Sequence, residues 1–177
     1  HQAYKKGMAF YNQNEFFKAI ECFELMLAET PKSTSMEYNL AQFYCSQAHK
    51  NLGIIEFTKN NSNEALTFFK IALKYNPKHT DLNYFTGICL NNIGKFQGAM
   101  ESFKKLQEID PDNIPNKLKI AIVFYNLEMW DNAEKINRDI LEKNPNYADV
   151  HFNLGLSLVH QGKASQAAQA FKDALNI

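Results

Sequence analysis

Four alanines, Ala65, Ala99, Ala133 and Ala167, stand 34 residues apart, and Pro77, Pro111 and Pro145 keep the same step. Gly53, Gly87 and Gly155 fall on that period, with Ala121 in the missing glycine slot. Phe69, Phe103 and Phe171 fall on it too, with Asn137 in the missing phenylalanine slot. Several residue classes in register at one spacing do not arise from composition alone. A fixed period of about 20 to 50 residues marks a stacked-repeat architecture, in which one repeat cannot bury its apolar face alone and must pack on its neighbours. The second half of each period places apolar residues at helical spacing, as in Ala65, Phe68, Phe69, Ala72 and Leu73, or Ala133, Ile136, Ile140 and Leu141, so these segments read as helices.

The pattern resembles the tetratricopeptide repeat, a helix–turn–helix of about 34 residues whose signature runs Leu-Gly, an aromatic, Ala, Phe or Tyr, a small residue and Pro. Leu154-Gly155, Ala167, Phe171 and Ala174 match it in the last repeat, and Gly87, Ala99, Phe103 and Pro111 in the third. The first repeat fits through Gly7, Ala19, Phe23 and Pro31, and the fourth, less closely, through Ala121, Phe124, Ala133, Ile140 and Pro145. The resemblance covers nearly the whole chain. It implies an all-α fold, a right-handed superhelical solenoid of antiparallel helix pairs, as a single domain over 1–177 with repeats at about 1–33, 34–79, 80–113, 114–147 and 148–177.

Each signature residue has a physical reason. The small residues are expected where the two helices of a repeat cross, since a larger side chain would hold the helices apart. The phenylalanine is expected to fill the hollow between one repeat and the next, where burying its ring stabilises by roughly 1.5–3 kcal/mol. Proline then stops the second helix, because it has no backbone N–H and drives the residue before it out of the helical region; Asn76-Pro77, Asp110-Pro111 and Asn144-Pro145 read this way.

The period breaks once. From Gly7 to Gly53, Ala19 to Ala65, Phe23 to Phe69 and Pro31 to Pro77 the step is 46, which inserts 12 residues in the second repeat. No helix breaker lies between Ser35 and Phe57, and Met36, Leu40, Phe43, Tyr44, Ala48, Leu52 and Ile55 read as one apolar face. One long helix, extended by roughly 18 Å, is expected, with Lys59, Asn60, Asn61 and Ser62 as the turn after it. The insertion also rotates the phase by about 120°, so Ala41 and Gly53, both at small-residue positions, cannot face the same neighbour. Such a helix either projects as a partner site or packs on the adjoining helices.

Charge and motifs exclude several function classes. Lysine plus arginine and aspartate plus glutamate both count 19, and Arg138 is the only arginine. Phosphate recognition favours clustered Lys and Arg, so nucleic acid is not expected as a partner. No apolar run approaches the roughly 18 residues that span a bilayer, so direct membrane insertion is not expected either. Cys22, Cys45 and Cys89 form no CxxC pair, and His49, His79, His151 and His160 have no helical metal spacing. No metal or other cofactor is expected. His151 takes the first-helix slot where the family often places tryptophan. Glu101, Glu108, Asp131 and Glu134 read as solvent-face acids, and there is no Gly-rich phosphate loop, nucleophile elbow or HExxH; the chain is not expected to be an enzyme. The thiols suit a reducing compartment, with the cytoplasm as the expected location. The chain starts without methionine and stops at Ile177 before the expected proline, which reads as a piece of a longer protein.

The resemblance places function on the concave surface, lined in this family by the first helix of each repeat. It projects Tyr4, Met8 and Tyr11 there from the first repeat and Tyr84, Ile88, Asn91 and Asn92 from the third. The fourth contributes Leu118, Ile122, Tyr125 and Asn126, and the last Phe152, Leu156 and His160. An aromatic and amide-lined groove of this kind suits an extended or helical peptide, the amides gripping its backbone and the apolar residues its side chains. Two known modes of the family fit poorly. The carboxylate clamp of chaperone-binding members needs Lys and Asn where Tyr4 and Met8 stand, and Lys and Arg where Asp81 and Phe85 stand. The asparagine ladder of O-GlcNAc transferase is echoed by Asn51-Leu52-Gly53 and Asn153-Leu154-Gly155 but broken at Phe85 and Lys119. The expected function is a non-catalytic scaffold for a protein or peptide partner. The alternatives are a substrate-recruiting domain of a larger enzyme, such as a glycosyltransferase, or a self-associating structural array.

Overall fold

The computed structural model describes residues 2–30 and 35–177. Among them ten helices follow one another and no strand occurs: α1 (Gln2–Asn12), α2 (Phe16–Glu29), α3 (Met36–Thr58), α4 (Ser62–Tyr75), α5 (Thr80–Asn92), α6 (Phe96–Ile109), α7 (Ile114–Asn126), α8 (Trp130–Lys143), α9 (Ala148–His160) and α10 (Ala164–Leu175). The fold is the all-α arrangement of helix pairs that the period implied, one pair per repeat. The helices gather into two compact units, His1–Ile93 and Gly94–Ile177. In the first, α1 through α5 each pack on their sequence neighbours and α1 also touches α3; in the second, α6 through α10 do the same and α7 also touches α9. No helix among the described residues is long and apolar enough to cross a membrane.

Both kinds of turn repeat their backbone geometry. Inside each helix pair one residue adopts a left-handed conformation: Asn14 (φ 61°), Asn60 (φ 62°), Gly94 (φ 77°), Glu128 (φ 59°) and Gly162 (φ 72°). These turns close with a backbone bond spanning five residues, as in Glu15 N–H to Phe10 O (2.9 Å) and Lys163 N–H to Leu158 O (2.9 Å), which satisfies a last-turn carbonyl. Glycine tolerates this conformation and asparagine nearly so, but Glu128 bears its steric penalty of roughly 1–2 kcal/mol. Glu128→Gly is therefore expected to raise the melting temperature by a few degrees, read by circular dichroism; a fall would mean that the carboxylate makes a compensating bond.

Between pairs, the residue before proline is driven out of the helix each time. Asn76 sits at φ −137°, ψ 90°, Asp110 at −137°, 88° and Asn144 at −137°, 72°, the extended region that a following proline imposes. Pro31 lies outside the described residues. Two first helices are side-chain capped: Ser35 Oγ accepts from Tyr38 N–H (3.2 Å) before α3, and Asn113 Oδ1 from Asn116 N–H (3.0 Å) before α7.

The repeat residues form the core, with a more specific division of labour than expected. Ala19, Ala65, Ala99 and Ala133 are fully buried, as are Phe23 and Phe69. The phenylalanine does not only bridge to the next repeat; its ring lies across the glycine 16 positions earlier in its own pair. A Cβ on Gly7 would stand 2.7 Å from Phe23 Cε1, one on Gly53 2.5 Å from Phe69 Cε1, and one on Gly155 2.5 Å from Phe171 Cε1. The other face of the ring meets the next repeat: Phe23 stacks on Tyr44 at 6.2 Å and Phe69 on Phe85 at 5.6 Å between centroids. Phe23 and Phe69 are thus each clamped between their own first helix and the following one.

The insertion in the second repeat is the 23-residue helix α3. It does not project. Its first half, through Ala41, Cys45 and Ala48, joins the core with Ala19, Phe23 and Met26 of α2. Its second half sets Gly53 under Phe69 of α4, and Ser46 Oγ donates to Ala72 O of α4 (2.9 Å). Ala41 and Gly53 face different neighbours, as the 120° phase shift requires. The single apolar face did not hold: Met36, Phe43 and Ile55 are exposed, because the buried stripe winds from α2 to α4 along the helix. Ser62 is the first residue of α4, so the turn is Lys59 to Asn61.

Candidate functional site

In the first unit the projected groove residues are largely built into packing. Tyr4, Met8 and Tyr11 are half-buried against the α1–α3 core. Tyr4 lies 6.1 Å from Phe23, and Tyr11 meets Tyr44 edge-on at 5.2 Å. Asn51 Nδ2 donates to the Tyr11 hydroxyl (3.4 Å). On α5, Tyr84, Ile88 and Asn91 are half-buried, while exposed Asn92 reaches Ser62 Oγ at the start of α4 (3.4 Å). Phe85, which interrupts the asparagine ladder, is held by Phe69 and by Phe57 at 5.4 Å.

The second unit brings four projected residues together. Ile122, Tyr125 and Asn126 of α7 and Leu156 of α9 border one cavity of about 240 Å³, closed by Ala121, Asn137, Asn153 and Ser157. The cause is the departure at the fourth repeat. The first, second and last repeats hold a glycine under a phenylalanine ring; here Ala121 and Asn137 occupy those two positions, and the short amide leaves the place of the ring empty. Asn137 is 1% exposed. Its Oδ1 is buried and has no hydrogen-bond partner. Sequence reasoning missed Asn137 and Asn153 as site residues, although the gap in the phenylalanine period at 137 was the available signal. Leu118 is half-buried on α7, and Phe152 is exposed on α9 beside Phe171 at 5.6 Å.

An aromatic cluster adjoins the cavity through Tyr125. The Tyr125 hydroxyl and His160 Nε2 share a hydrogen bond of 2.9 Å. The His160 ring lies flat on Trp130, 4.2 Å between centroids and 9° between planes, and Tyr125 meets the same indole edge-on at 5.0 Å. Tyr125 and Trp130 therefore hold each other and His160 with little rotamer freedom left to lose on binding.

Glu134, read from sequence as a solvent-face acid, instead joins α8 to the turn between α9 and α10, with its side chain only 13% exposed. Oε1 accepts from Arg138 Nε (2.8 Å), and Oε2 from Gln161 Nε2 (2.9 Å) and Lys163 Nζ (2.8 Å). Burial pushes its carboxyl up, but the bonds from Lys163, Arg138 and Gln161 outweigh burial and hold it down at about 2. A depressed carboxyl contributes stability that is present above the unfolded value of 4.5 and lost as pH falls toward about 2. Glu134→Gln is expected to remove about 1–2 kcal/mol near neutrality, discounted for the exposure of Arg138 and Lys163. Urea denaturation of the variant should show a flatter dependence between pH 4.5 and 2; an unchanged slope would contradict the network.

Two buried thiols and two histidines are held in the packing. Cys45 lies 3.9 Å from His49 Nδ1, a pair that resembles a nucleophile and its base. Burial pushes the Cys45 thiol up to about 12 and the Cys89 thiol to about 11, which leaves essentially no thiolate at neutral pH. His49 Nδ1 sits 2.9 Å from Cys45 O, and its ring stacks on Tyr75 at 5.7 Å. His151 Nε2 lies 2.7 Å from Pro145 O at the loop before α9. Among the described residues no three His, Cys, Asp or Glu side chains are grouped to hold a metal ion.

Comparison with known proteins agrees with the geometry. Two family models described as tetratricopeptide repeat match residues 50–114 and 94–156, together more than half of the chain. The BBSome complex member BBS4 of Bos taurus is 23% identical over 164 residues, covering 86% of this chain and 29% of that protein. The peroxisomal targeting signal receptor of Saccharomyces cerevisiae is 25% identical over 142 residues, covering 76% of this chain and 21% of that protein. The chain thus spans less than a third of the length of these relatives. Among solved structures, a MamA double mutant superposes with a TM-score of 0.74 at 17% identity, over 97% of this chain and 93% of that one. YrrB, described as a tetratricopeptide-repeat protein with an unusual peptide-binding site, superposes at 0.69 and 19% identity, over 96% and 81%. Repeat spacing, paired helices, the glycine–phenylalanine contact and these matches lead to one conclusion: the chain belongs to the tetratricopeptide-repeat family, whose helix pairs serve as scaffolds for protein interaction.

Proposed function

We propose that this chain is a non-catalytic scaffold that binds a peptide or protein segment across the face of α7 and α9. The observation that carries the reading is the convergence of Ile122, Tyr125, Asn126 and Leu156 on one cavity with a buried amide oxygen of Asn137 that has no hydrogen-bond partner. Apolar walls supply affinity and a few fixed amides supply orientation, the usual composition of a recognition site. The aromatic cluster at Tyr125, Trp130 and His160 adds a rigid anchor of the type that dominates binding energy. The peptide-binding site named for YrrB and the receptor role named for the yeast relative point the same way.

Selection from a phage-displayed random peptide library on the immobilised chain tests this. Enriched peptides should bind at least tenfold more weakly to Tyr125→Ala and to His160→Ala, each shown to be folded by circular dichroism, a loss of about 1.4 kcal/mol. No enrichment, or binding indifferent to both substitutions, would exclude this face as the site.

A further inference from the structure

The cavity at the fourth repeat is more than a gap in a groove; its chemistry selects an occupant. In the pairs Gly7/Phe23, Gly53/Phe69 and Gly155/Phe171 the chain's own ring covers the first helix. At the matching positions Ala121 and Asn137 supply only a methyl group and a short amide, and about 240 Å³ stays open. A dry apolar void of about 150 Å³ already accepts a benzene-sized ligand, so an aromatic side chain has room here.

Polarity narrows the choice. No residue lining the cavity is charged, so a lysine or arginine would be desolvated without a counter-ion. Phenylalanine would fill the space but leave the Asn137 oxygen, already without a partner, sealed from water. The two hydroxyls of the lining are engaged: Ser157 Oγ donates to Asn153 O (3.1 Å), and the Tyr125 hydroxyl is bonded to His160. What is missing is a neutral donor at the far end of an aromatic ring. The geometry points to a tyrosine side chain of the bound segment, inserted where the repeat lacks its own phenylalanine, with its hydroxyl on the Asn137 amide. This rests on reading the α7–α9 face as a peptide site and names the side chain it selects.

The test uses p-cresol as the tyrosine side chain and toluene as its counterpart without the hydroxyl, each titrated into the isotope-labelled chain and followed by amide chemical shifts. Saturable shifts at Ala121, Asn137 and Ser157 are expected, with p-cresol about tenfold tighter than toluene, the size of one net hydrogen bond. Asn137→Leu should abolish the preference. The pair Ala121→Gly with Asn137→Phe rebuilds the arrangement of Gly7/Phe23, Gly53/Phe69 and Gly155/Phe171 and should lose both ligands while melting no lower than the parent, so that loss of binding is separated from loss of fold. Equal affinity for the two ligands, shifts elsewhere, or no saturation would overturn the tyrosine assignment and leave the peptide selection standing. Peptides that ignore both Tyr125→Ala and His160→Ala while p-cresol still binds at Asn137 would instead overturn the peptide reading.

Discussion

Leucine in place of Gly53 is expected to lower the melting temperature by about 10–20 °C. Even the first carbon of the new side chain would lie 2.5 and 2.6 Å from two atoms of the Phe69 ring, closer than non-bonded carbons approach. The ring cannot step aside, because it is fully buried and stacked on Phe85 at 5.6 Å. Overpacking of this kind costs about 1–3 kcal/mol or more, and in a unit of this size each kcal/mol moves the melt by about 4–8 °C. Adding Phe69→Ala to the leucine variant should recover part of the loss, since the cavity of one substitution receives the bulk of the other. An unchanged melt for the single variant, or strict additivity in the double, would count against the 16-residue pairing seen at Gly7/Phe23, Gly53/Phe69 and Gly155/Phe171.

The second large effect is a contrast between equivalent positions. Phe69→Ala is expected to cost about 3–5 kcal/mol in urea denaturation, the loss usual for a buried ring that leaves a cavity. Asn137→Ala, one repeat position that differs only in what the chain put there, is expected to cost less than about 1 kcal/mol. The cavity beside Asn137 already exists, and removing an amide whose oxygen has no partner relieves a desolvation penalty that offsets the lost contacts. Similar losses at the two positions would mean that Asn137 supports its surroundings as the phenylalanines do, and that the cavity is not a feature kept open by the fold.

Local order made most of the helices legible. Prolines at 77, 111 and 145 marked the ends of α4, α6 and α8, because a ring that lacks an N–H acts on the residue beside it whatever the surroundings. The 46-residue step likewise announced a long α3, since nothing between Ser35 and Phe57 interrupts a helix. The five left-handed turn residues were less visible: only Gly94 and Gly162 advertise themselves, while Asn14, Asn60 and Glu128 share their conformation through the hydrogen bonds that close the turn. The environment of Glu134 was not legible either, because its three donors come from α8 and from the turn between α9 and α10.

The sequence by itself determined the repeat, its helices, and the places where a small residue must face a large ring, because those depend on periodicity and on the backbone chemistry of glycine and proline. It even showed that the fourth repeat lacks its phenylalanine. Whether that lack would be filled by collapse of the neighbours or kept as an open, amide-floored cavity is a matter of how firmly α7, α8 and α9 hold one another. Only the tertiary structure decided that, since packing density is a property of all three helices at once and of no single segment of the chain.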